Sequence, residues 1–234
     1  MWNKIYKFFS TSTIQNFYLI LLWVQVFDLV HTLVVVQMVK DGFIDIPVDV
    51  SVFLSFVFAI LINIFELVLF RRFIHSNSGF VCYAILIFLS IVVLFIAVGP
   101  FASGLEPYLV KELLKLGIGF QAISIAILLV LMMKDIFMQQ HNLSYSLVGA
   151  TSVFILIGTF FAIVYSFMEA SFPGMFKGND PMDPLHICYE YSYFVISGQD
   201  PPMEVNILIS KISIFESIFS NLFGIMIVGR LLTK

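Results

Sequence analysis

The chain has 234 residues, of which 60% are hydrophobic and 12% charged, with a formal net charge of −3. A soluble globular domain carries roughly 45–50% apolar residues, so a mean hydropathy of +1.03 excludes water as the main solvent. No stable duplex nucleic acid is expected as a partner.

In chain order, Met1-Trp-Asn-Lys-Ile-Tyr-Lys-Phe-Phe mixes aromatics with lysines, as a short interfacial helix over 1–12 would. A membrane-spanning helix needs about 20 mostly apolar residues. Six such runs follow, at 14–39, 51–70, 80–98, 108–133, 147–167 and 205–232. Unbroken apolar stretches from Leu19 to Val24 and from Ile125 to Val130 argue for helices, since barrel strands alternate apolar with polar residues. The first run is too long for a cleavable signal and has no small-residue cleavage site, so it is expected to be retained.

The charges are asymmetric. With an inside N-terminus, one face holds Lys4, Lys7, Arg71, Arg72, Lys134, Arg230 and Lys234 against Asp135 alone. The opposite face holds most of the acids, among them Asp41, Glu106, Glu169, Asp200 and Glu204. By the positive-inside rule both termini are cytoplasmic, in a multi-pass protein of a bacterial inner membrane. The outer acids either concentrate cations at a pore mouth or reflect loops free to carry acids. Cys82 and Cys188 fall near opposite faces, which predicts no disulfide within the chain.

The longest interruption, 168–204, contains six prolines and glycines before Pro201 and Pro202 close it. Inside it the run from Leu185 to Ser197 is too short to cross a bilayer but long enough to enter and return. Non-helical backbone at membrane depth needs a protein-lined or water-filled cavity, so this segment predicts a pore.

The order from Gly149 to Leu232 is helix, turret, aromatic short helix, Gly/Asp loop and final helix. It resembles the pore module of potassium and related cation channels. The carrying residues are the final helix, with Glu216 near its start, Gly224 at its middle and Arg230 at its end, and the run from Tyr191 to Val195 leading to Gly198-Gln199-Asp200. The resemblance implies a voltage-gated-channel-like, all-α architecture of six transmembrane helices, with a re-entrant pore helix and loop between helices 5 and 6. It also implies a homotetramer, with a peripheral four-helix bundle over 13–140 and a pore domain over 145–234. A Thr-Val-Gly-Tyr-Gly filter is absent; Ser197, Gly198, Gln199 and Asp200 form a shorter pore loop. Weak cation preference set by Asp200, with Glu204 at the outer mouth, is the expectation. The fourth run has no Arg, and its Lys111 and Lys115 lie at its outer end, which disfavours voltage sensing.

Other residues carry paired readings. Asp28 with His31, and Asn63 with Glu66, lie one turn apart within apolar runs and form either a structural polar cluster or a gating or proton-sensing site. Glu216 either braces the pore loop or meets ions directly. Gly224 and Gly229 are hinges or close-packing points. Ile218, Leu222, Ile225 and Met226 share a helical face suited to a dewetting gate. Arg230 rings the cytoplasmic mouth or snorkels to phosphates. Arg71, Arg72, His75, Lys134 and His141 form a basic inner surface that contacts anionic lipid or binds an anionic nucleotide or oligonucleotide regulator.

Lacking a voltage sensor or soluble sensing domain, the chain resembles in architecture the stand-alone channel-like Hailong effectors of bacterial anti-phage defence, which implies opening by a ligand or partner and depolarisation of the host cell. No metalloprotease, nucleophile-elbow or phosphate-loop motif is present, so no enzyme, cofactor or metal is expected. A small-solute or ion transporter, or a non-conducting relative, is the alternative.

Overall fold

The computed structural model describes residues 14–31, 38, 48–74, 76–98, 104–138, 143–177 and 184–232. The interfacial helix expected over 1–12, and His75 and His141 of the basic surface, lie outside the described residues.

The chain folds into helices α1 (Ile14–Val30), α2 (Val48–Phe73), α3 (Asn77–Val98), α4 (Pro107–Met138) and α5 (Leu143–Ser171), then strand β1 (Phe176–Lys177), helix α6 (Pro184–Ile196), strand β2 (Glu204–Val205) and helix α7 (Ile207–Leu232). Among the described residues four helices are long and apolar enough to cross a bilayer: Asn77–Ala97, Pro107–Met138, Leu143–Ser171 and Ile207–Arg230. The protein is an all-α membrane protein, whose backbone polar groups are satisfied within each helix as hydrocarbon demands.

Neighbouring long helices run in opposite directions, as the side-chain pairs show. Phe70 of α2 stacks on Tyr83 of α3 at 3.7 Å. Along the α3–α4 seam, Tyr83 Oη donates to the Ser124 carbonyl and Ser90 Oγ to the Gly117 carbonyl. A Cβ at Gly117 would lie 2.7 Å from Leu94, so the glycine lets α3 and α4 approach closely. α1 runs parallel to α5: Tyr18 meets Tyr145 edge to face at 5.2 Å, and seven residues on, Ser152 Oγ donates to Gln25 Oε1 at 2.8 Å. α7 runs against α5 and down to the end of α4, where Arg230 Nη1 donates to the Phe137 carbonyl at 2.7 Å.

α5 is the central element, packed against α1, α4, α6 and α7. Its sequence explains the position, because Gly149, Ala150, Ser152, Gly158, Ala162 and Ser166 are small and buried, which allows neighbours in on several sides. The main core runs along it through Val153, Leu156, Ile157, Phe161 and Tyr165.

Two local devices square off the helix ends. Ser76 Oγ accepts from the Gly79 amide at the start of α3, and Asn206 Oδ1 accepts from the Leu208 amide at the start of α7, each supplying a partner to an otherwise orphaned helix N–H. After α5 the chain turns through Gly174, whose φ of 89° suits glycine. The Glu169 carboxylate collects the amides of Gly174, Met175 and Phe176 there.

Candidate functional site

The site is built by the segment between α5 and α7. Strands β1 and β2 pair antiparallel, with Phe176 opposite Val205 and Lys177 opposite Glu204. The chain that leaves at Lys177 therefore comes back to the same point at Glu204. Between them α6 runs antiparallel to α5. Tyr191 lies edge to face on Tyr165 at 5.2 Å, Ser192 Oγ donates to the Gly158 carbonyl at 2.8 Å, and Tyr193 Oη donates to the Ile155 carbonyl at 3.1 Å. Gly158 lies thirteen residues before Ser171, the last residue of α5. At 1.5 Å per residue that is about 20 Å along the helix, which is also about the length of α6. The tip of α6 thus lies beside the middle of α5.

The turn at that tip is set by sequence. Gly198 adopts φ 74°, its amide donates to the Val195 carbonyl, and the Gln199 amide donates to the Phe194 carbonyl. This is the paired hydrogen-bond closure that ends a helix on a left-handed glycine. Residues 199–203, which contain Pro201 and Pro202 and belong to no helix or strand, then lead back to β2, where Glu204 pairs with Lys177. Ser197, Gly198, Gln199 and Asp200 are all exposed, as is Glu204.

Glu216 fastens this excursion to both flanking helices. It is fully buried, and its carboxylate accepts from Tyr165 Oη of α5 and Ser192 Oγ of α6, both at 2.5 Å. One acid thereby holds three helices. Close packing supplements it: a Cβ at Gly158 would lie 2.9 Å from Ile196 and from the Tyr193 ring.

No family model, curated protein or solved structure matches this chain. Function is read from geometry.

On α7 the buried stripe is Ile209, Glu216, Ser220 and Phe223, and the opposite face is open. Ile218, Leu222, Ile225 and Met226 lie on that open face, each at least half exposed. Gly224 and Gly229 meet no atom within 4 Å of a built Cβ, so neither is needed for packing within one protomer. Asn221 sits among these apolar neighbours, exposed at the middle of the helix, its amide 3.5 Å from Ser217 Oγ. A polar amide at that depth is costly against hydrocarbon and fits a water-filled or protein-covered surface.

The intramembrane polar residues gather elsewhere. His31, Asn63 and Glu66 are buried and Asp28 is half-buried. Gln25 and Asp28 of α1 line a small cavity with Tyr189 and Tyr193 of α6, which brings the α1 acid to the back of the short helix. The basic residues lie at the far ends of their helices. Arg71 is exposed, but its guanidinium donates to Asn77 Oδ1 at 2.9 Å and lies 5.1 Å over the Phe80 ring, closing the α2–α3 hairpin. Arg72 is half-buried near Tyr145, and Lys134 is exposed.

Some site residues give no local signal in the sequence. Ser192 and Tyr165 become the partners of Glu216 only through packing at separations of 24 and 51 residues. Asp135, counted among inner charges, is buried and accepts from Tyr18 Oη at 3.2 Å and Tyr145 Oη at 2.6 Å, joining α1, α4 and α5.

Proposed function

We propose that the protein forms a homotetrameric, weakly selective cation channel with six membrane-crossing helices per chain, α6 and the loop 197–203 entering the membrane from the side of Glu204 and returning to it. The observation that carries this reading is that α6 reaches the middle of α5 while Lys177, before it, and Glu204, after it, lie paired at one rim. A 13-residue helix cannot cross a bilayer about 30 Å thick, and irregular backbone at that depth is tolerated only where it lines protein or water.

Four copies around an axis would bring four exposed loops together, with Asp200 as a ring of carboxylates that raises local cation concentration. The open face of α7 would line the pore below it, with Asn221 wetted and Ile218, Leu222 and Ile225 forming the apolar constriction. The limb 197–203 is too short and too proline-rich for a stack of carbonyl rings, so ions pass partly hydrated. Opening would depolarise the membrane, in keeping with an effector released by a ligand or partner.

Planar-bilayer recording of the purified protein under asymmetric potassium, sodium and chloride, with oligomer size measured on the same preparation, tests the reading. Cation currents from a tetramer are expected. A monomeric protein without current would refute it. Asp200→Asn is expected to lower the cation-to-anion permeability ratio several-fold, about the effect of removing a ring of charges at a pore mouth, with oligomer size unchanged. The same ratio in the variant would place Asp200 away from the ion path.

The trigger is proposed to be an anionic ligand at the basic helix ends. Lys134 is the cleanest probe, because Arg71 also closes a hairpin. Each surface charge contributes about 1 kcal/mol toward an anionic partner, so Lys134→Glu, a change of two charges, is expected to weaken retention of a short oligonucleotide about thirtyfold, with steep salt dependence. Equal retention by the variant would assign the basic end to lipid contact alone.

A further inference from the structure

Beside α6, a cavity of about 10 Å³ lies among four helices. Its polar wall comprises Gln25 and Asp28 of α1, Thr159 of α5, and Tyr189 and Tyr193 of α6, with Ile62 contributed by α2. The volume admits one water molecule and nothing larger.

Gln25 is 4% exposed, and its amide is used on one side only. Oε1 accepts from Ser152 Oγ at 2.8 Å, whereas Nε2 has no acceptor among the described residues. Ser152 is not part of the cavity wall, so Nε2 is the end of the amide left to the cavity. A buried N–H without an acceptor is costly, and the rest of the wall is rich in oxygen. Among the described residues Asp28 receives no hydrogen bond and joins no ion pair. Thr159 Oγ1 and Tyr193 Oη both send their protons to the Ile155 carbonyl, at 3.1 Å each, which leaves their oxygens able to accept.

One N–H donor among several oxygen acceptors decides the occupant. A cation would meet the N–H end of Gln25, and an anion would sit against the Asp28 carboxyl. A dry cavity is the rule where the lining is apolar, and this lining is not. Water accepts from the amide and donates to two oxygens, which is the pattern that the wall requires.

We infer that this cavity is the site of one buried water, which accepts from Gln25 Nε2, donates to Asp28 and ties α1 to α6. Gln25 and Asp28 lie three residues apart and so on one face of α1, without a direct hydrogen bond between them; a bridging water joins such a pair nearly as well as direct contact would. Its second hydrogen goes to the tyrosine wall of α6. Asp28 thereby has a structural role, holding the back of the short helix against α1. The site does not depend on the pore reading above.

Magic-angle-spinning NMR of the isotope-labelled full chain in liposomes tests it, with magnetisation selected on water and detected after a short transfer to the protein. Gln25→Met removes the Gln25 side-chain amide signal and Asp28→Asn moves that of the Asp28 carboxyl, which identifies both. In the parent, water magnetisation is expected to reach the Gln25 side-chain amide and the Asp28 carboxyl carbon together. Asp28→Leu, which deletes the acceptor and fills its space, is expected to abolish transfer to Gln25, whereas Asp28→Asn, which keeps an oxygen, retains it. The Gln121 amide, whose Oε1 accepts from Ser90 across the α3–α4 seam, shows whether the bundle is intact in each variant. A Gln25 amide that receives nothing in the parent would mean a dry cavity and would overturn the inference, however the variants fold. Transfer to Gln25 undiminished by Asp28→Leu in an intact bundle would overturn it as well, since that water would not be shared with Asp28. The signals are read whether or not the protein conducts, so failure here is separate from failure of the bilayer recording.

Discussion

Glu216→Ala is expected to cost about 3 kcal/mol of protomer stability and, if the protein conducts as proposed, to abolish current, whereas Glu216→Gln keeps the fold and most of any current. Alanine removes the acceptor for Tyr165 Oη and Ser192 Oγ, leaving the buried Tyr165 hydroxyl without a partner, at about 1–3 kcal/mol, and adds a cavity where the side chain stood. Ser192 keeps the Gly158 carbonyl, so α6 is loosened rather than released. Glutamine retains one oxygen acceptor, and its amide can donate to the other hydroxyl, so the three-helix junction survives. The measurements are denaturation of the purified protein in mixed micelles and bilayer current for all three forms. If Glu216 acted as a permeation residue, the order would reverse: Gln would change conductance strongly, and Ala would leave stability intact.

The sequence displayed the long helices clearly because hydrocarbon permits few alternatives. An apolar run of about 20 residues at membrane depth must satisfy its own backbone, which makes it a helix. The expected runs at 51–70, 80–98, 108–133 and 147–167 lie inside α2, α3, α4 and α5, and the observed helices extend past them at several ends. Backbone hydrogen bonding continues beyond the apolar stretch, carrying Arg71 and Arg72 in α2 and Lys134 in α4 as helical residues. The short helix was legible through its punctuation, since Pro184 opens α6 and Gly198 closes it in the left-handed conformation. What the helices touch was not legible. Hydropathy carries no information about azimuth in a chain apolar on every side, so the shared face of Ile218, Leu222, Ile225 and Met226 was legible on α7 but not that it would be the open one. The same limit hid Asp135, whose two tyrosine donors come from helices 117 and 10 residues away. The Gln25 cavity is subject to it too, because its walls derive from four separate helices.

The glycines give a second large effect with a built-in control. Gly158→Val is expected to displace α6 and to lower stability by about 2–3 kcal/mol, the usual range for overpacking a tight contact. Even the first added carbon would meet Ile196 Cδ1 and Tyr193 Cε1 at 2.9 Å and Tyr193 Cζ at 3.1 Å. Ile196 ends in a flexible methyl and can yield. The Tyr193 ring cannot swing away without giving up its hydrogen bond to the Ile155 carbonyl, so helix movement is the remaining response. Gly224 and Gly229 differ in kind, because among the described residues a Cβ added at either would meet no atom within 4 Å outside its own stretch of helix. Gly224→Ala and Gly229→Ala are therefore expected to leave protomer unfolding unchanged or to raise stability by up to about 1 kcal/mol through helix propensity. Their effect, if the open face of α7 meets other copies or bends, falls on oligomer size or on current. Unfolding in mixed micelles, oligomer size and bilayer current on the three variants separate these roles. Loss of oligomer with normal unfolding assigns Gly224 and Gly229 to contacts between copies, normal oligomer with altered current assigns them to bending, and Gly158→Val unfolding like the parent would mean that α6 does not sit against the middle of α5.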